Sequence, residues 1–174
     1  MALYFPAPKY NGNYKQGMAQ FGWRRPGGRT HAACDLYTPL KSDVVAVDDG
    51  IIVESGDFYL GTQAIAIRHE GIGIIRYGEI LEIPKDFLKI GVKVKAGDVI
   101  GKVGQVIKVS PMLHFELFDE TKSGILTDRR KGIEYYYVEQ LQTTALDKFK
   151  FIRRTKTNEK THLVDCFIFV AFSH

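Results

Sequence analysis

The chain has 174 residues, 45% of them hydrophobic and 25% charged, with a net charge of +4 and a pI near 9.0. That suits one decorated domain with a real core and excludes a disordered polymer. Two cysteines, Cys34 and Cys166, exclude a disulfide framework and a four-thiolate zinc site.

The basic excess is too mild to choose among anionic partners. Its densest stretch, residues 148–160, reads as a solvated connector, so no nucleic acid is expected as partner. The opening MALYFPAPKY has no charged region followed by an apolar run, so no signal peptide is expected. No window reaches the roughly 18 apolar residues of a membrane span.

The first 28 residues are rich in Gly, Pro, Asn and aromatics, which predicts extended or looped chain with aromatic anchors. After His31 the texture becomes that of strands. DVVAVDDGIIVESGDFY carries β-branched runs broken by Asp48-Asp49-Gly50, a hairpin signal. TQAIAIRHEGIGIIRYGEIL repeats it around His69-Glu70-Gly71. GVKVKAGDVIGKVG is punctuated by Gly91, Gly97, Gly101 and Gly104, and MLHFELF alternates strictly. Strand-length runs without intervening helices predict a mainly β, antiparallel fold. Beyond Asp128, Ile133, Tyr136, Tyr137, Leu141 and Leu146 recur at helical intervals, predicting a short helix. THLVDCFIFVAF predicts one further strand.

THAACDLYTP, residues 30–39, holds the residues of chemical interest. His31 and Asp35 stand four apart, so in extended chain both point to one side. His114 sits on the alternating strand with Leu113 and Phe115 facing the other way. A His-Asp-His set offers the nitrogen and oxygen ligands of a zinc site that leaves one position for water. Spacing alone does not decide between a metal, a Cys34–His31 nucleophile pair and an ordinary strand start. Cys34 reads most simply as a packed thiol, and His69 as a turn or groove-wall residue. Glu116, on the face of His114, reads as a support for it or as a plain salt bridge.

The order of pieces resembles the LytM/lysostaphin-type zinc endopeptidases that cut bacterial peptidoglycan. The pieces are THAACDLYTP, VVAVDDGIIV, AIAIRHEGIGIIRYGEI, VKAGDVIGKVG and MLHFELF, running from about Phe21 to Phe118. The resemblance implies an antiparallel β-sheet groove, of barrel-sandwich hybrid type, with zinc held by His31, Asp35 and His114. It also implies peptidoglycan peptides as substrate and action outside the cytoplasm, in periplasm or cell wall. The implied division is residues 1–20 as an extension, 21–128 as the peptidase domain and 129–174 as a helix-and-strand appendage. GVKVKAGDVIGKVG also resembles biotinyl and lipoyl carriers, but their modifiable lysine motif is missing.

Two departures bear on activity. The family's late His-x-His becomes Met112-x-His114, and a thioether carries no proton. The histidine that usually follows the Tyr-x pair becomes Glu79. Two expectations follow: a zinc endopeptidase with Glu79 as general base, or a zinc-binding relative that binds wall or regulates a partner without turnover.

Overall fold

The computed structural model describes residues 3–28, 31–118, 151–153 and 162–163. Eight strands form one open antiparallel sheet: β2 (Cys34–Tyr37), β3 (Asp43–Val45), β4 (Gly50–Asp57), β5 (Gln63–His69), β6 (Gly73–Glu82), β7 (Lys93–Val94), β8 (Val99–Val103) and β9 (Met112–Phe118). The order is β2-β9-β6-β5-β4-β7, with β8 pairing both β6 and β3. A second sheet joins β1 (Leu3–Tyr4), β10 (Phe151–Arg153) and β11 (His162–Leu163). The mainly β antiparallel expectation holds. The helix expected over residues 133–146 lies outside the described residues. So does the expected final strand apart from His162–Leu163.

The alternation of β9 organises the interior. Leu113, Phe115 and Leu117 join the main hydrophobic cluster with Leu36, Ile65, Ile67, Ile75 and Tyr77. The intervening Met112, His114, Glu116 and Phe118 project from the opposite face, as a two-residue period requires. All seven residues of β9 are buried, so this strand has covered surfaces on both sides.

The N-terminal aromatics are anchors. Phe5, Tyr10 and Tyr14 lie in the main cluster, and the rings of Phe5 and Tyr10 stack with centroids 5.8 Å apart. Burial of a side chain such as Phe5 contributes roughly 1.5–3 kcal/mol. Backbone bonds from Tyr4 N to Val47 O and from Val45 N to Pro6 O lash this segment to the sheet.

The hairpin expected around His69-Glu70-Gly71 forms, with His69 opposite Gly73 across β5 and β6. The one expected at Asp48-Asp49-Gly50 does not: β3 pairs with β8, and β4 pairs with β5 and β7. Asp49 is occupied elsewhere, its carboxylate accepting from Ala96 N and Lys95 Nζ. Gly50 serves close approach, since a Cβ there would lie 2.6 Å from Ile67 Cγ2 and 2.7 Å from the Arg68 carbonyl. The same dipeptide that signals a two-residue turn here marks a crossing of strands.

A buried polar chain pins this crossing. His69 Nδ1–H donates to the Asp49 carbonyl (3.0 Å), Tyr77 O–H donates to His69 Nε2 (3.2 Å), and Val47 N–H donates to Tyr77 Oη (3.1 Å). His69 and Tyr77 are fully buried, and burial pushes the imidazole down and the phenol up.

This chain predicts a pH dependence of stability. The unfolded imidazole titrates near ~6.5, whereas in the fold its pKa is lower. The unfolded state therefore binds more protons below ~6.5, and the contribution of His69 is lost as pH falls through that window. Urea unfolding at pH 7.5 and 5.5 should show wild type losing more stability than His69→Gln; equal losses would contradict the assignment. Tyr77→Phe should cost roughly 1–3 kcal/mol by stranding Val47 N–H and His69 Nε2.

Candidate metal centre

Antiparallel pairing of β2 with β9 puts Asp35 directly opposite His114. His31 reaches the same place from the loop before β2. Its backbone is clamped there by bonds from Gly22 N to His31 O and from His31 N to Trp23 O, each 2.8 Å. Both imidazoles converge on one carboxylate oxygen: His31 Nε2 is 3.1 Å and His114 Nδ1 2.9 Å from Asp35 Oδ1. The three side chains expected to act together thus meet, and each is at most 3% exposed. Among the described residues theirs is the group with metal-holding geometry, its ligand atoms within 4.8 Å of one another.

The outer atoms decide what this trio can do. His31 Nδ1 faces the Gln20 carbonyl at 2.9 Å. A carbonyl only accepts, so Nδ1 carries the hydrogen. Burial drives the His31 pKa down against the opposing pull of Asp35, so near neutral pH its Nε2 presents a lone pair to Asp35. His114 Nε2 faces Glu116 Oε1 at 2.8 Å, which turns Nδ1 inward in the same way. Two imidazole nitrogens and a carboxylate oxygen held this close together form a set of donors for a cation. A divalent ion held by Nε2, Oδ1 and Nδ1 fits the ligand types.

Arg25 Nη2 donates to Asp35 Oδ2 (3.1 Å) and to the Met18 carbonyl (3.0 Å), so the second carboxylate oxygen is held and Oδ1 stays aimed inward.

Glu79 is buried and has φ +59°. It follows Gly78, which stands opposite His114, at the point where β6 stops pairing with β9 and begins pairing with β8. Against β5 the pairing skips from Tyr77 to Ile80, so Gly78 and Glu79 form a local irregularity of the kind found next to sites. Tyr37 feels both carboxylates: burial first, then the charge of Asp35, raise its phenol pKa, Arg25 opposes them, and Glu79 adds to the rise. Met112, opposite Tyr37, is buried and shares the face of His114. Cys34 turns to the core, its thiol 3.8 Å from the Phe115 carbonyl. Phe58, from the β4–β5 turn, lies with its ring centroid 5.8 Å from that of His114. It fits because Gly78 has no Cβ, which would sit 2.8 Å from Phe58 Cε1.

Sequence reasoning missed Arg25, Arg76, Phe58, Tyr37 and the Gln20 carbonyl. Arg76 left a trace, as a charge inside the apolar run GIGIIRYG. Tyr37 follows from the two-residue period of the strand that carries Asp35, whereas Gln20, Arg25 and Phe58 act through chain that folds back onto the site.

A sequence profile described as Peptidase family M23 matches residues 29–125. The chain is 31% identical over 109 residues to the glycyl-glycine endopeptidase ALE-1 of Staphylococcus capitis, covering 60% of this chain and 29% of that protein. It is 29% identical over 89 residues to the peptidoglycan DD-endopeptidase ShyC of Vibrio cholerae, covering 51% and 20%. The match thus spans less than a third of either relative. The catalytic domain of the antimicrobial peptidase lysostaphin from Staphylococcus simulans superposes with TM-score 0.51 at 30% identity, over 63% of this chain and 84% of that domain.

The geometry predicts about one divalent ion per chain in metal analysis of the purified protein. Asp35→Ala should carry essentially none. Arg25→Ala should keep the site but weaken it by roughly 10-fold, because Asp35 Oδ2 loses its anchor. Metal retained in Asp35→Ala would place the ion elsewhere.

Proposed function

The chain belongs to peptidase family M23, the LytM/lysostaphin type, and from that premise we propose that it is a zinc-dependent endopeptidase hydrolysing peptide bonds of bacterial peptidoglycan. The observation that carries this reading is the convergence of two imidazole nitrogens on Asp35 Oδ1 in a buried setting. His31, Asp35 and His114 are the proposed zinc ligands. Residues 21–128 form the proposed peptidase domain, and the preceding segment lends Gln20. The site of action is the wall, outside the cytoplasm. Among the described residues no helix is long and apolar enough to cross a membrane.

Zinc, when bound, supplies Lewis-acid polarisation of the scissile carbonyl and an acidified water. The chain supplies the rest. Glu79 takes a proton from the attacking water as its oxygen bonds to the carbonyl carbon. It returns that proton to the amine nitrogen as the C–N bond breaks, a task for a carboxylate fixed close to the reacting atoms. Arg25 and Gln20 hold the ligands still, and Phe58 shields one side of His114 from water.

The second reading, a zinc-holding binder of wall or regulator of a partner without turnover, is favoured by Met112. That thioether occupies the His114 face where a proton carrier would otherwise stand.

Purified peptidoglycan separates the two. Wild type should release new peptide amino ends, and Glu79→Gln should do so about 10²–10⁴-fold more slowly with its zinc content intact. Silence from wild type together with release by Met112→His would establish the binder instead.

A further inference from the structure

One cross-strand row ties the metal centre to the far part of the sheet. Pairing sets Glu116 on β9 opposite Arg76 on β6, Arg76 opposite Ala66 on β5, and Ala66 opposite Glu54 on β4. Neighbouring strands lie about 4.8 Å apart, so the row spans three such gaps. Ala66 is the short member, and the guanidinium of Arg76 reaches across it. Arg76 Nη2 donates to both oxygens of Glu54 at 3.1 and 2.8 Å, and Nη1 lies 3.4 Å from Glu116 Oε2. The rings of Phe58 and Phe118 flank the cation at 5.7 and 5.5 Å. Arg76 is fully buried and Glu116 nearly so, whereas the Glu54 side chain keeps 31% exposure.

A buried guanidinium is expensive to desolvate, and a face that needed only packing would be served better by an aliphatic residue. What Arg76 adds is direction. Glu116 has two oxygens; with Oε2 drawn to Arg76, Oε1 is left for His114 Nε2. The carboxylate cannot turn without breaking one bond or the other. Its plane then fixes the imidazole plane, and with it the aim of Nδ1 at Asp35 Oδ1.

We propose that Arg76 is a positioning residue of the metal centre, acting through Glu116 on His114, with Glu54 as its outer anchor. The proposal rests on the zinc-site reading above and assigns a role that neither the ligand set nor the reaction requires.

The test is zinc affinity, measured by competition with a chromophoric chelator, together with the ring ¹⁵N shifts of His114 in zinc-loaded protein. Arg76→Met and Glu116→Gln should each weaken zinc by about 10–100-fold. Because both act through one linkage, the double variant should be within about 3-fold of the weaker single. Arg76→Lys should resemble Arg76→Met, since an ammonium cannot bridge two carboxylates as a planar fork does. Glu54→Ala, at a partly exposed position, should weaken zinc several-fold and move the His114 shifts, and it carries the test if Arg76→Met fails to fold. Multiplying losses in the double variant, or unmoved shifts with unchanged affinity in Glu54→Ala and Arg76→Lys, would overturn the proposal. A wild type that takes up no zinc removes the metal-site reading and this inference together. A zinc-loaded wild type with indifferent variants removes this inference alone.

Discussion

The contact between Asp35 Oδ1 and the two imidazoles is a packing result before it is a chemical one. Asp35 meets His114 because β2 pairs with β9 in one register, and that register is held by Leu36, Leu113, Phe115 and Leu117 on the other face. A two-residue period divides one short strand between two surroundings: a hydrocarbon interior at odd positions, and at even ones a mixed interior in which His114 and Glu116 are the polar members. Everything said of the centre inherits its geometry from that division.

Such a polar interior is stable only if its members satisfy one another. Here the satisfaction comes from several directions. Gln20 and Arg25 reach in from the segment before β2, Glu116 and Arg76 from the same sheet face, and Phe58 from the β4–β5 turn. The sheet contributes rigid rows, and the segment before β2 contributes the Gln20 carbonyl and the Arg25 guanidinium. The Asp35 carboxylate and the two imidazole nitrogens gathered on it give a cation its location.

Much of this was legible in the sequence. The alternation in MLHFELF announces which residues of β9 face the core, and the four-residue spacing of His31 and Asp35 announces a shared side. The β5–β6 hairpin is written in its apolar runs and the turn between them. What could not be read is whatever depends on which strands become neighbours. Asp48-Asp49-Gly50 looks like a turn because turn glycines and close-approach glycines are the same letter; only the nearness of Ile67 and Arg68 tells them apart. Arg25 precedes Asp35 by ten residues in a loop whose path no periodicity encodes. The Glu54–Arg76–Glu116 row exists only once three pairings are known, although an arginine amid isoleucines is a visible anomaly.

The edge position of β2 has one further consequence, for folding fidelity. An edge strand bonded on one side can slide, and a slide of one residue exchanges its two faces. In β2 that exchange would drive the Asp35 carboxylate into hydrocarbon and bring the Cys34 thiol out to meet the imidazoles. A charge stranded in an apolar interior is among the costliest errors a chain can make. The aspartate therefore proofreads the alignment of its own strand, and misaligned chains are rejected by electrostatics before any ion arrives.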